Sequence, residues 1–195
     1  NKAKNIILLI ADGMSLSQIT AYRMMKGSLN ERISMDKFPY SGIVLTHSYN
    51  AAVTDSASSA TAYSTGFKTN NGALGLDQDL NELENLTETI DKFGFVSSLI
   101  STSEVTHATP AAFAAHVDLR WKTDIISSQM IDSRVATILG GGRYFFTPEE
   151  QGGKREDGRN LLDEIKESHI LLTEKNQLSE ISSSLDKQVL GLFAD

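Results

Sequence analysis

The apolar positions of this chain gather in short continuous runs separated by polar and helical stretches. Asn5-Ile-Ile-Leu-Leu-Ile-Ala11 is uninterrupted and rich in β-branched residues, the pattern of a strand buried on both faces of a parallel sheet. It ends at Asp12-Gly13, and a helical pattern follows from about Ser17 to Lys26. Gly42 to Ser48 predicts a second strand, with a helix beginning at Ser56 after it. Leu86 to Phe93 predicts an amphipathic helix closed by Gly94, followed directly by a strand from Phe95 to Ser101. Pro110 opens a further helix, Asp124 to Asp132 forms another, and Val135 to Leu139 returns to strand. Asn160 to Ser168 reads as helix, His169 to Thr173 as strand, and Gln188 to Ala194 as a last apolar strand. This alternation predicts an α/β fold, a doubly wound and mainly parallel sheet with helices on both faces. No repeat or linker interrupts it, so a single domain over residues 1–195 is expected. The polar stretch Glu149 to Gly158 predicts a long surface loop. The buried-type run Val189 to Ala194 stands immediately before Asp195, so an interrupted fold with a sticky, uncovered last strand is expected.

At 195 residues and 40% hydrophobic, the chain is long enough to bury a core. The net charge of −7 argues against a specific nucleic-acid partner, which calls for a basic face. It leaves phosphate esters open as substrates, because metal ions or one placed arginine can invert a local field. The absence of cysteine removes disulfides and thiolate metal ligands. No apolar stretch reaches the length of a membrane span, and any export signal is expected to have been removed before Asn1.

Within this frame the run Val53-Thr-Asp-Ser-Ala-Ser-Ser-Ala-Thr-Ala-Tyr-Ser-Thr-Gly66 stands out. It sets Asp55 directly before Ser56 and follows both with very small side chains. A serine hydroxyl needs a base, a lowered pKa or a metal to act as a nucleophile. At a helix start it also meets free backbone N–H groups and the positive dipole end, both suited to phosphate. The competing reading is a Ser/Ala-rich surface helix capped by Asp55.

Other candidates are weaker singly. Asp12 ends the first predicted strand, where open α/β sheets keep their sites, and its carboxylate suits a divalent cation; an Asp-Gly turn is the plain alternative. Pro110 should hold Thr109 extended, letting His107 and Thr109 face one object as a partial metal shell. Alternatively, Thr109 only caps the helix and His107 is solvated. Arg120 follows His116 by four residues, on one helical face if the helix from Pro110 persists, and its guanidinium can hold two phosphoryl oxygens. Phe113 and Val117 are expected in the buried stripe, His116 in a structural role, and Gly140-Gly-Gly142 in a turn; His47 and His169 stay unassigned.

Together these segments resemble the alkaline phosphatase family. The resemblance rests on Asn5 through Met14, Val53 through Ala57 and on to Thr65-Gly66-Phe-Lys-Thr69, and Asn71-Gly-Ala-Leu-Gly75. Thr106-His-Ala-Thr-Pro-Ala-Ala112 through His116 and Arg120, and Leu190-Gly-Leu-Phe-Ala-Asp195, complete it in family order. The resemblance implies phosphate monoester hydrolysis through a phosphoserine, with two Zn2+ ions and a third site for Mg2+ in the complete protein. By it, Ser56 is the nucleophile, held on a zinc, Asp55 orients the substrate arginine, and Arg120 is that arginine. Asp12 falls on the carboxylate bridging a zinc and the third metal, and Thr109 on a third-metal ligand. His107 falls where members carry Asp or His, and a histidine there is able to act through a bound water. The resemblance further implies an exported protein and a homodimer. It covers roughly the first half of a typical member, so this chain alone is expected to be inactive, short of the remaining zinc ligands.

Two other readings remain at this stage. One is another hydrolase of the same superfamily, a phosphodiesterase or a sulfatase. Sulfatases require Cys/Ser-x-Pro-x-Arg, which Ser56-Ala-Ser-Ser-Ala60 is not. The other is an inactive truncated domain that binds phosphate or metal weakly.

Overall fold

The short apolar runs of the C-terminal part become strands that pair only in parallel. β1 (Ser98–Glu104), β2 (Thr137–Gly141), β3 (His169–Leu172) and β4 (Gln188–Leu192) form one sheet in the order β1-β2-β4-β3. Parallel neighbours need long crossovers, and helices supply most of them: α4 (Ala108–Ala111) and α5 (Thr123–Asp132) between β1 and β2, α6 (Leu161–Glu164) between β2 and β3. Ahead of the sheet come α2 (Ser56–Thr65) and α3 (Leu86–Asp91). The computed structural model describes residues 3–26, 30–181 and 186–195, and the chain divides into two units, residues 1–45 and 46–195.

In the first unit, α1 (Leu16–Met25) starts at a capping box between Ser15 and Gln18, which satisfies two otherwise free N–H groups. Its Arg23 is paired with Asp36, which also accepts from the Ile33 N–H at 3.0 Å. The predicted strands Asn5 to Ala11 and Gly42 to Ser48 are not strands here. Ile6 and Ile43 are 85% and 98% exposed, and no ladder partner lies beside either run among the described residues. An apolar run records a demand for burial; only a neighbouring strand turns it into sheet.

In the second unit the helix ends follow the sequence closely. Asn85 accepts from the Thr87 and Glu88 N–H groups at 3.0 and 3.1 Å, and Glu88 returns the bond to the Asn85 N–H at 2.8 Å. Gly66 closes α2 in the left-handed region at φ 81°, where a side chain would be strained. α5 buries Ile126, Met130 and Ile131 at helical spacing. The core joins these residues to Leu74, Val105, Phe146, Leu161 and Leu190, and Phe113 and Val117 are buried as expected.

Three expectations are corrected, and a fourth, the exposed loop over 149–158, is refined. The helix at Pro110 does not reach Arg120. It ends at Ala111, because the chain turns and pairs Val117 with Leu74 in a two-way bridge at 2.8 and 2.9 Å. Thr109 lies inside α4 and is helical. Pro110 sits in the first turn, where its missing N–H costs nothing, while the Ala111 and Ala112 N–H groups bond to His107 and Ala108. The run Val189 to Ala194 is not an uncovered edge: β4 lies between β2 and β3, with Val189, Leu190 and Leu192 buried. Finally, the loop over 149–158 carries a short 3-10 turn at Glu149–Gln151 and buries Arg155, whose guanidinium reaches the Asp124 and Phe145 carbonyls at 3.2 Å.

Candidate active site

Ser56 is the first helical residue of α2, and Asp55 is its N-cap. Asp55 Oδ1 accepts from the Ser58 N–H at 3.0 Å, so the cap holds the helix start that presents Ser56. Small residues let this helix approach its neighbours: Ala57 and Ala60 are buried, as are Ala108 and Ala111 of α4. Ser56 itself is half-buried, and its hydroxyl has no hydrogen-bond partner among the described residues.

Arg120 arrives from the far side of the bridge between Leu74 and Val117. Its backbone N–H donates to the Gly72 carbonyl at 2.8 Å, which sets its position along the chain. Its Nη1 donates to Asp55 Oδ2 at 3.2 Å and its Nη2 to His107 Nε2 at 3.2 Å. The guanidinium carbon also lies 5.1 Å from the Trp121 ring centroid, within reach of a cation–π contact. Only 11% of its side chain is exposed.

Asp55 is the hub. Burial pushes its carboxyl up, but the Ser58 and Gly72 N–H groups, the Arg120 guanidinium and the Ser58 hydroxyl outweigh it and hold it below the ordinary carboxylate value. It is therefore ionised at neutral pH and balances Arg120. A guanidinium carries five N–H donors. One on Nη1 and one on Nη2 are engaged by Asp55 and His107, which leaves one on each free to take two oxygens of a tetrahedral anion.

His107 sits just past the carboxyl end of β1, the end where parallel sheets gather ligands. It is the extended residue before α4, and Thr109 is the second residue of that helix, half-buried. The structure thus brings Ser56, Asp55, Arg120 and His107 together within the second unit, with Thr109 two residues along the chain. Asp12 belongs to the first unit. Of the remaining histidines, His169 is buried beside Ser168, and burial lowers its pKa; His47 is exposed and lies 3.0 Å from the Ser48 carbonyl.

Asn71 escaped sequence reasoning, and His116, expected in a structural role, makes contacts the sequence did not name. Asn71 accepts from the Asp55 N–H at 3.1 Å and from the Ser58 hydroxyl at 2.9 Å, while donating to the Val53 carbonyl at 3.0 Å. It clamps the start of α2 from the loop that carries Gly72. His116 lies between the Gly75 carbonyl and the Glu88 carboxylate, each at 2.9 Å. Neither contact leaves a spacing signal, since the partners are 16 and 28 residues apart.

The chain as a whole is similar to known proteins. The family model described as "Alkaline phosphatase" matches residues 3–195. Alkaline phosphatase 4 of Bacillus subtilis is 36% identical over 207 residues, covering 98% of this chain and 42% of its own length. The repressible alkaline phosphatase of Saccharomyces cerevisiae is 33% identical, covering 100% of this chain and 38% of its own length. The solved alkaline phosphatase of the Antarctic bacterium TAB5 superposes with a TM-score of 0.89 at 34% identity, covering 100% of this chain and 55% of that one. A histidine-to-glutamate variant of the TAB5 enzyme, with Mg bound in its M3 site, superposes at 0.83 and 32% identity, covering 94% of this chain and 51% of that one. This chain therefore spans about half the length of the relatives it matches, and over that span it belongs to the alkaline phosphatase family.

Proposed function

We propose that this chain supplies the nucleophile and the phosphate clamp of a phosphate monoester hydrolase that works through a phosphoserine. In this reading Arg120 takes two non-bridging oxygens of the substrate through its two free N–H groups. Asp55 fixes the guanidinium plane by its bond to Nη1, and His107 steadies Nη2. The N-terminus of α2 adds backbone N–H groups and a favourable field where negative charge accumulates. Ser56 Oγ then forms a bond to phosphorus as the ester P–O bond breaks, and the hydroxyl proton passes through water to the leaving oxygen. A water molecule next attacks the phosphoserine, releasing inorganic phosphate and restoring the Ser56 hydroxyl.

The reading implies two Zn2+ ions and one Mg2+. Oxygen and imidazole donors suit such ions, and Asp12, Ser56, His107 and Thr109 would contribute to holding them. A bound ion would lower the pKa of the Ser56 hydroxyl and offset phosphoryl charge. Among the described residues no group of three or more His, Asp or Glu side chains gathers. The TAB5 variant with Mg in its M3 site supports Mg2+ as one of the ions. The same reading takes the complete protein to be exported and homodimeric.

One observation carries it: a nearly buried arginine is held at 3.2 Å on the N-cap carboxylate next to a half-buried serine whose hydroxyl is unengaged. The test is an acid-trapped phosphoenzyme, formed from a chromogenic monoester by a protein joining these residues to the remaining length of its relatives. Phosphate on the peptide that contains Ser56 is expected; phosphate on any other residue overturns the assignment.

A further inference from the structure

Arg120 is delivered by a short antiparallel ribbon, and the far end of that ribbon is closed by a side chain. One side of the ribbon is residues 72–75 and the other is residues 116–120, joined at the bridge between Leu74 and Val117. The Arg120 N–H bonds to the Gly72 carbonyl at 2.8 Å, Leu74 and Val117 exchange both backbone bonds, and His116 Nδ1 reaches the Gly75 carbonyl at 2.9 Å. Gly72 also donates to Asp55 Oδ2 at 3.2 Å, so the ribbon places both members of the Arg120–Asp55 pair.

His116 is gripped on every side. Gln129 accepts from its N–H at 2.6 Å and donates to its carbonyl at 3.2 Å. Its Nε2 meets Glu88 Oε1 at 2.9 Å, while Glu88 Oε2 caps α3 through the Asn85 N–H. Gly75 has φ +63°, and a Cβ there would stand 2.5 Å from His116 Nδ1, so the glycine leaves room for the ring. Both ring nitrogens thus face acceptors, a carbonyl and a carboxylate. Only the doubly protonated imidazolium donates to both; the neutral ring must give up one.

We propose that His116 is a positioning residue for Arg120: its ring, donating to Gly75 and Glu88, locks the ribbon that holds the guanidinium on Asp55. This rests on the reading of Arg120 as the phosphate clamp only for its consequence, since the lock itself is a matter of geometry. The charges around the ring favour the protonated form. Glu88 faces it directly and Glu82 adds to the field, while Asp91 and Asp132 line the same cleft. The cations there are diverted: Lys92 to Glu84 at 2.5 Å and Arg134 to Asp91 at 3.4 Å. Burial lowers the His116 pKa, but the Gly75 and Glu88 bonds outweigh it and leave it above the ordinary value. The lock is therefore complete below the ordinary imidazole pKa and is released as pH rises through the raised one.

Trp121 reports the outcome, because it is the only tryptophan and its ring centroid lies 5.1 Å from the Arg120 guanidinium carbon. The experiment follows the ring signals of each histidine by NMR against pH, together with Trp121 emission, on residues 1–195. The expected result is a Trp121 transition sharing its midpoint with His116. In Glu88→Gln both midpoints should fall together by at least half a pH unit, and in His116→Gln the Trp121 transition should vanish. A Trp121 transition that tracks His107, or that stays in place when the His116 midpoint moves, overturns the proposal, as does a flat Trp121 profile in the wild type. If His116→Gln fails to fold, the Glu88→Gln shift decides alone. Should Trp121 track His116 while Arg120→Ala leaves phosphate binding untouched, the lock stands and the clamp reading fails.

Discussion

Arg120 Nη1 donates to Asp55 Oδ2 at 3.2 Å across 65 residues of chain, so the loop after α4 and the N-cap of α2 share one ion pair. The pair is partly buried, and its members have unequal tasks. Asp55 is committed to the helix start, while Arg120 keeps N–H groups for a ligand. Arg120→Ala is expected to cost about 1–3 kcal/mol of transition-state stabilisation, the range for a lost charge-assisted contact. Inhibition by inorganic phosphate should weaken in parallel in a protein that joins this chain to the remaining length of its relatives. Unaltered phosphate inhibition would show that Arg120 does not touch the ligand.

Ser56→Ala removes the covalent route and leaves Arg120 and the helix terminus in place. Turnover in the same completed protein should fall on the order of a thousandfold or more, with no phosphoenzyme trapped at low pH. Phosphate affinity should change little, because the hydroxyl is a nucleophile and not the clamp. A variant that still forms an acid-stable phosphoenzyme would move the nucleophile elsewhere.

Asp55 makes a pH prediction whose sign is fixed by its environment. Its folded pKa lies below the unfolded one, so the stability it contributes is present above about pH 4 and is lost as pH falls through the folded value. Asp55→Asn keeps a cap acceptor but no charge. Urea unfolding from pH 5 down to pH 2 should therefore fall more steeply in the wild type than in Asp55→Asn. Parallel profiles would mean that the carboxylate is not stabilised by Ser58, Gly72 and Arg120.

Arg155 tests the packing of the 149–158 loop against α5. Its side chain has no exposure, and it bonds to the Ser127 hydroxyl at 2.5 Å, two carbonyls at 3.2 Å and the Asp157 carboxylate. Arg155→Ala leaves a cavity and unpaired buried acceptors, for an expected loss of about 2–4 kcal/mol. The urea midpoint should drop at constant slope. A loss below about 0.5 kcal/mol would place this residue among ordinary surface positions.

The sequence made the helix ends and the strands after residue 95 legible because those signals are local. Asp55 before Ser56, Asn85 with Glu88, Gly66 and Gly94 each act within one turn of chain. The runs at Asn5 to Ala11 and Gly42 to Ser48 have strand composition, but pairing depends on a neighbour that composition does not name. Arg120 was found by its chemistry but placed on a helix that stops at Ala111, since the bridge to Leu74 is a long-range contact. Asn71 and His116 were missed as site residues for the same reason. Their partners are brought to them by folding, and nothing in their spacing marks them.

Residues 1–195 by themselves offer the most exposed test. A catalytic zinc usually has about three protein ligands and one open position. The candidate donors here are Asp12, Ser56, His107 and Thr109, and no group of three His, Asp or Glu side chains assembles among the described residues. His107 Nε2, moreover, already accepts from Arg120, so a metal there would compete with that bond. The purified chain should hold well under two tight zinc ions by elemental analysis and turn over a chromogenic monoester barely above background. Adding Zn2+ and Mg2+ should raise neither value much. Two tight zinc ions per chain with near-normal turnover would require ligands from a second copy of the chain, or from residues assigned here to packing.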